Sequence, residues 1–416
     1  MNADSIIITG TGAVSSIGET LAQTWDSLLL KRCGIQEIKN WDASNLGCQI
    51  AAEVINFDQK RAGNFQQLKR LDKSAMLAIA AAEEAISQSG ILNSNIASNR
   101  IGVFWASGNG GIQTYDAGMI YYAQHPARKA FSPFFQSNVL VDTAGARISQ
   151  RFHLKGPNIT TVSACASGNS ALLTAMLYIK SGLCDAAIVG GSEAAVTPSV
   201  IGGFSAMKAL SLNNENPNLA CRPFSATRDG FVVGEGSAAM VLERLENASK
   251  RNFTPKAILT GASNANDAGH ITGADETGKG AADCINLALK YANLNAEEID
   301  AYSAHGTSTK QGDLSEYNSL KFCFSDYLKY LPIVASKSMT GHLLGASSAL
   351  EAVLSIEMLY QQKIIPNLEF SADVDMKEPE LFLPQAGIEM HLKHIMNHAS
   401  GFGGQHATSI FSAINA

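Results

Sequence analysis

The stretch Asn158-Ile-Thr-Thr-Val-Ser-Ala-Cys-Ala-Ser-Gly-Asn-Ser170 constrains this chain more than any other. A β-branched run, Ile159 to Val162, leads into small residues around Cys165. Leu172, Ala175, Met176 and Ile179 then recur at helical spacing, and Gly182 stands where a helix ends. A second apolar run, Ala186-Ala-Ile-Val189, closes on Gly190-Gly191. The pattern predicts strand, tight turn, helix and strand, with the cysteine in the turn. Unpaired N–H groups and a partial positive charge at a helix start favour thiolate, so the Cys165 pKa is expected to fall. The small neighbours leave room for a carbonyl to reach the sulfur. On this stretch alone, a small buried cysteine at a helix start is the other reading.

At 416 residues the chain exceeds one ordinary core, and two intimately packed halves are expected. With 46% apolar and 16% charged residues it reads as globular and well buried. A formal charge of −6 argues against a nucleic-acid binder, which needs clustered basic surface. The seven cysteines are scattered and form no Cys-x-x-Cys pair, so neither a zinc ribbon nor a disulfide framework is indicated. Reduced thiols in a cytoplasmic setting fit best. Neither a signal segment nor a membrane span is expected.

Along the chain, Ile6-Ile-Ile8 reads as a strand and Thr9-Gly-Thr-Gly12 as a tight backbone turn. That turn resembles half a dinucleotide fingerprint, but Ser15 stands where the third glycine belongs. Leu71 to Ser89 reads as a helix with a dense apolar face, and Lys69, Arg70 and Lys73 cluster at its start. Such a cluster is a solvated face or a dock for an acidic partner. Ile101 to Trp105 reads as a buried strand, and Val232 to Leu242 as another. Polar composition from Asn247 to Thr254 marks the boundary between residues 1–252 and 253–416. Helices are expected from Gly280 to Tyr291, Leu314 to Phe322 and Ser347 to Gln361. Strands alternate with helices throughout, so the class is α/β. No repeat is visible in the sequence itself.

A nucleophilic cysteine needs partners. Of nine histidines, two sit in glycine-flanked contexts like that of Cys165. His305 lies in Ser303-Ala-His-Gly-Thr-Ser-Thr309, followed by Asp313 and Glu316; His342 lies in Ser336-Lys-Ser-Met-Thr-Gly-His-Leu-Leu-Gly345, followed by Glu351. His125, His153, His391 and His394 read as surface residues. In Ser400-Gly-Phe-Gly-Gly404, Phe402 is a bulky side chain on permissive backbone. It could gate a cavity, lend N–H groups to an oxyanion, or simply pack in a β-turn.

Together these blocks resemble the elongating β-ketoacyl-acyl-carrier-protein synthases of the thiolase superfamily. The resemblance spans nearly the whole chain. It includes Ser132-Pro-Phe-Phe, Ala164-Cys-Ala-Ser-Gly, Gly190-Gly-Ser-Glu, Arg222-Pro-Phe-Ser, Arg228-Asp-Gly-Phe-Val-Val-Gly-Glu-Gly, Ala304-His-Gly-Thr-Ser-Thr, Lys337-Ser-Met-Thr-Gly-His and Gly401-Phe-Gly-Gly. It implies a duplicated thiolase fold in five layers, α-β-α-β-α, dimeric across the strand that leads to the cysteine helix. It implies that an acyl group passes from a carrier-protein phosphopantetheine to Cys165. Malonyl on a second carrier then loses CO₂ and attacks the thioester. His305 and His342 would donate hydrogen bonds to the enolate, and the N–H groups of Cys165 and Phe402 would hold the oxyanion. Lys337 would order the site beside Glu351, with Asp313 and Glu316 in support. Thr307 and Thr309 would bind pantetheine with Thr272 facing them, and Phe204 joins the substrate contacts. Lys69, Arg70, Lys73, Arg128, Lys129 and Lys208 are docking candidates for the acidic carrier. No metal or organic cofactor is implied beyond the carrier's phosphopantetheine.

The sequence departs from the resemblance in places. Asn109 and Gln136 stand where an apolar residue usually lines the acyl tunnel, and a polar group there is unfavourable unless paired. Lys310 replaces a common proline, Gln405-His406 a usual Thr-Asn, and Ala166 a hydroxyl residue. A polyene, aryl-primed or polyketide chain is one expectation, and a housekeeping synthase with neutral substitutions is the other. A non-catalytic chain-length partner in a heterodimer stays open beside the homodimeric enzyme.

Overall fold

The computed structural model describes residues 5–126, 131–368 and 380–414, apart from the side chains of residues 65 and 67. Its frame is one ten-stranded sheet built from two equal halves. The first half holds β1 (Ile6–Ser15), β2 (Ile101–Ala106), β3 (Asn158–Thr161), β4 (Ala186–Glu193) and β5 (Gly236–Arg244). The second holds β6 (Ala257–Asn266), β7 (Ala301–Ser303), β8 (Ile333–Val334), β9 (His394–Gly401) and β10 (Gln405–Ser412). The spatial order is β8-β7-β9-β10-β6-β1-β5-β4-β2-β3. Each half therefore runs third-second-fourth-fifth-first. The senses agree as well: the first three of those strands pair in parallel, and the last two pairings are antiparallel. The duplication is carried by topology, with no repeat in the residues. The halves join through two residue pairs, Ile7 with Ile258 and Ile8 with Ala257.

Seven helices matter for the site: α1 (Lys73–Ser89), α2 (Ile112–Gln124), α3 (Thr143–Phe152), α4 (Ser167–Lys180), α5 (Lys279–Ala292), α6 (Lys310–Phe324) and α7 (Ser347–Gln361). Helices α4 and α7 pack on each other and on strands of both halves, so they form the middle layer. Helices α1 and α3 cover the outer face of the first half, and α5 and α6 that of the second. That is the five-layered α-β-α-β-α arrangement.

A middle helix has no solvent face, and the composition of α7 reflects it. Every residue from Ser347 to Leu359 is buried, Glu351 and Glu357 included. Its Leu, Val, Ile and Met side chains contribute about 1.5–3 kcal/mol each when fully buried. Small residues set the approach of α4. A methyl group on Gly168 would lie 2.4 Å from the backbone nitrogen of Ala349, so only glycine allows this contact.

Thr9-Gly-Thr-Gly12 is not a turn. It lies inside the continuous strand β1. A methyl group at Gly10 or Gly12 would stand 2.0 Å from the Ala85 carbonyl oxygen or 2.3 Å from that of Ala81. The glycines let α1 lie directly on the strand. The basic start of α1 also has a different role from the one expected. Asp72 caps the helix by accepting from Ser74 N at 2.9 Å. Lys73 meets the buried Glu235 at 2.5 Å and is committed to that ion pair rather than to a partner protein.

Candidate active site

Strand β3 delivers the chain to a sharp turn at Ser163–Ala166. Ala164 sits there in the left-handed region at φ +48°, an unusual conformation for a residue with a Cβ. Ser167 stabilises the turn by accepting from Ser163 N at 2.8 Å and donating to the Ala164 carbonyl at 2.5 Å. Cys165 is thereby held at the head of α4, in the layer between the two halves of the sheet.

The second half supplies the imidazoles. His342 Nε2 lies 3.1 Å from Cys165 Sγ, and His342 Nδ1 lies 2.7 Å from Ser347 Oγ. His305 follows strand β7, with its ring 5.6 Å from that of His342 and nearly perpendicular to it. Its loop is fixed from behind: Glu316 accepts from His305 N and Gly306 N, both at 2.7 Å, and from the Tyr302 hydroxyl at 3.0 Å. Asp313 accepts from Ser308 N at 3.0 Å and Phe224 N at 2.6 Å, with Arg228 at 3.5 Å. Lys337, buried below both histidines, donates to the His305 carbonyl at 2.5 Å and pairs with Glu351. Among the described residues His305 Nδ1 has no hydrogen-bond partner, although it is buried.

Burial governs the protonation states. It holds both histidines well below their ordinary pKa, and the nearby Lys337 ammonium adds to the effect, so both rings are neutral. Glu351 rises to about 7 by burial, against the pull of Lys337. The thiol corrects the expectation drawn from the helix start. Cys165 lies at the floor of a cavity, deep among protein atoms, and burial pushes its pKa up to about 12, with Lys337 opposing. It therefore rests as a thiol, and its proton must be removed during reaction.

One cavity of about 890 Å³ gathers these groups. Its walls include Cys165, His305, His342, Phe402, Phe204, Asn109, Thr272, Thr307, Thr309 and Lys208. The rings of Phe204 and Phe402 face each other at 6.1 Å. Thr307 and Thr309 share a hydrogen bond of 3.0 Å. Other residues lie elsewhere. Gln136 is exposed on a short helix, Phe135–Val139, and does not line the cavity. Lys69 and Arg70 are exposed, and the Arg70 guanidinium sits 5.0 Å over the Phe134 ring. Arg128 and Lys129 fall outside the described residues.

Several residues escaped the sequence reading. Glu193, the end of Gly190-Gly-Ser-Glu, is fully buried. It accepts from Gly108 N at 2.7 Å, Asn109 N at 3.0 Å, Gly345 N at 3.1 Å and Ser107 Oγ at 3.3 Å. Burial raises its pKa to about 7 while the N–H donors pull it back. It ties the Asn109 loop to the loop that carries His342. Its context, an acid ending a glycine-rich strand, was the signal. His398, Ser400, His406 and Asp267 also cluster beside the cavity, and only strand register reveals that they meet.

Residues 3–248 match the family description "Beta-ketoacyl synthase, N-terminal domain", and residues 256–371 match "Beta-ketoacyl synthase, C-terminal domain". The chain is 36% identical to a 3-oxoacyl-[acyl-carrier-protein] synthase 2 of Coxiella burnetii, with both chains covered in full. It is 35% identical to the protein of that name in Staphylococcus aureus, over 99% of each. A β-ketoacyl synthase from Burkholderia phymatum superposes with a TM-score of 0.91 at 30% identity, covering 99% of this chain and 100% of that one. The ishigamide ketosynthase/chain length factor gives 0.91 at 28% identity with the same coverage. A thiol at a helix head, facing two neutral imidazoles across a duplicated sheet, thus stands in a chain that belongs to the β-ketoacyl synthase family.

Proposed function

We propose that the chain is a self-sufficient β-ketoacyl-acyl-carrier-protein synthase whose Cys165 carries the acyl group. The contact between Cys165 Sγ and His342 Nε2 at 3.1 Å carries this reading. In the loading step the Cys165 proton passes to His342 Nε2 as sulfur attacks the carrier thioester. The backbone N–H groups of Cys165 and Phe402 receive the oxyanion, and His342 returns the proton to the departing pantetheine thiol. In the second step malonyl loses CO₂, and neutral His305 and His342 donate to the enolate oxygen. His342 must accept in one step and donate in the other. The Ser347 hydroxyl at 2.7 Å supports both tautomers, because it can either accept or donate. The enolate carbon then displaces Cys165, which regains a proton. These steps call on no metal or organic cofactor of the enzyme's own; pantetheine arrives on the carrier. The presence of Cys165 with both histidines disfavours a non-catalytic chain-length partner.

The acyl chain is read as functionalised or conjugated rather than plain and long. Asn109 in the cavity wall supports this: Glu193 accepts from its backbone N–H at 3.0 Å and also meets its side chain, which lowers the cost of a polar group there. A second copy of the chain is the proposed partner across β3. Among the described residues that strand ends the sheet with one edge unpaired, and Val162, which follows it, is exposed, as are Phe131, Leu140 and Val141 earlier in the same half. No described helix is long and apolar enough to cross a membrane.

Mass spectrometry with a panel of acyl carriers and malonyl carrier tests these points together. The expected result is a dimer of identical chains, an acyl adduct on Cys165 and an elongated product, with unsaturated acyl groups preferred. Asn109→Leu should shift that preference toward saturated chains by roughly tenfold, the scale of one apolar pocket contact. Equal turnover of long saturated chains by the parent would refute the substrate reading, and elongation only with a second, different chain would refute self-sufficiency.

Lys208 stands at the cavity mouth and is the favoured docking cation. Lys208→Glu should raise KM for the carrier severalfold, with kcat for a pantetheine-only substrate preserved. An unchanged carrier KM would remove Lys208 from the interface.

A further inference from the structure

The condensation chemistry leaves unused a buried group of polar side chains that reaches the cavity. Ser400 and His406 face each other across the β9–β10 hairpin, and Asp267 follows β6. Ser400 Oγ lies 2.9 Å from His406 Nδ1, and His406 Nε2 lies 2.9 Å from Asp267 Oδ1. Ser400, His406 and Asp267 all line the cavity that holds Cys165. The His406 and Asp267 side chains are almost fully buried, at 4% and 7% exposure.

The direction of the hydrogen bonds follows from the carboxylate. Asp267 only accepts, so His406 Nε2 donates to it. With its proton on Nε2 alone the ring offers a lone pair at Nδ1, and the Ser400 hydroxyl is placed to donate to it. On the other side His398 Nε2 lies 3.2 Å from Ser400 Oγ, and His398 Nδ1 lies 2.8 Å from Thr408 Oγ1. Thr408 Oγ1 donates to Cys284 Sγ at 3.4 Å, so the Ser400 hydroxyl has an imidazole on either side, and rotation toward His406 aims its proton at the ring that Asp267 holds. A hydroxyl whose proton is aimed at an imidazole, itself oriented by a carboxylate, is the arrangement that turns serine into a nucleophile. The two ring nitrogens exchange their usual partners here, but both are competent bases.

The oxyanion donors are close by. A methyl group on Gly401, the next residue, would lie 2.9 Å from Cys165 N. The backbone after Ser400 thus packs against that of Cys165, and both residues line one cavity.

We propose that Ser400, His406 and Asp267 form a second acyl-accepting site that hydrolyses acyl thioesters dwelling in the cavity. Ser400 Oγ bonds to the carbonyl carbon as its proton moves to His406 Nδ1. The C–S bond breaks, and the pantetheine sulfur leaves with that proton. Water then gives a proton to His406 and its oxygen to the acyl carbon. The ester bond to Ser400 breaks, the serine recovers the proton, and a free carboxylic acid departs. The net reaction is thioester plus water to acid plus thiol. This activity clears acyl groups that fail to be elongated, and it is independent of the condensation assigned to Cys165.

The test uses Cys165→Ala, in which no thiol can account for turnover. Octanoyl-pantetheine should be hydrolysed by this variant, and adding Ser400→Ala should lower the rate at least tenfold. A fluorophosphonate probe should form an adduct mapped to Ser400 in the parent enzyme and lose it in Asp267→Asn. Cys165 alkylation by iodoacetamide and the melting temperature verify that each Cys165-containing variant is folded with an open cavity. An absent Ser400 adduct in protein that still alkylates at Cys165 overturns the proposal. So does hydrolysis by Cys165→Ala that Ser400→Ala leaves unchanged.

Discussion

Cys165→Ala is expected to abolish covalent acyl loading and to reduce elongation at least about 10³-fold, about 4 kcal/mol of transition-state stabilisation. Decarboxylation of malonyl carrier should persist in that variant, because the imidazoles that meet the enolate are untouched. His305→Ala should give the opposite pattern. Its ring lies 5.6 Å from that of His342, which itself contacts the thiol, so loading should survive. Decarboxylation should fall by about 10²–10⁴, the usual scale for a lost proton-handling group. His342→Ala should damage both steps, since this ring touches the sulfur and helps form the enolate site. Intact mass after acyl loading and CO₂ release from malonyl carrier separate the steps. Equal loss of loading in His305→Ala would contradict the division of labour.

Lys337→Ala has the next largest expected effect. The Lys337 and Glu351 side chains are 1% and 2% exposed, so removing the ammonium leaves a carboxylate with no cation in the interior. Breaking such a pair costs about 3–5 kcal/mol. The size of the loss depends on pH in a defined direction. Glu351 is already raised to about 7 from an ordinary value of 4.5, so it is neutral in the fold at low pH. Its favourable contribution is complete below about 4.5 and disappears as pH rises through its folded value. Urea unfolding should therefore find the penalty small at pH 5.5 and large at pH 8.5, and a penalty independent of pH would discount the ion pair. The same substitution removes a positive charge that depresses both histidines. Their pKa values should rise, and the acid limb of the activity profile should move to higher pH.

The sequence made the chemistry legible where it is local. Cys165, His305, His342 and Phe402 each sit in a glycine- or small-residue-rich turn, and such turns bring a side chain to a strand end. Helix α7 was bounded correctly because its apolar pattern runs uninterrupted from Ser347 to Gln361. What depended on distant neighbours was not legible. Glycines at 10 and 12 imitate a turn locally, and only the helix lying on them explains their size. Lys73 looks like a surface cation until Glu235, far along the chain, is brought against it. The thiol pKa was misjudged because a helix start is visible in sequence and the depth of burial is not. The row from His398 to Asp267 needs the register of three strands, which no single window contains.

Among the described residues only two pairs stitch the half-sheets edge to edge, and the interleaved helices α4 and α7 provide the broader contact between them. The thiol belongs to one half and both imidazoles to the other. Two copies of one architecture thus hold complementary parts, and neither contains a complete reaction centre. Mutational drift in the layer between them is restrained twice over, because any repacking that shifts one copy against the other also changes the sulfur-to-imidazole distance. Selection for turnover and selection for a dense interior act there on the same atoms.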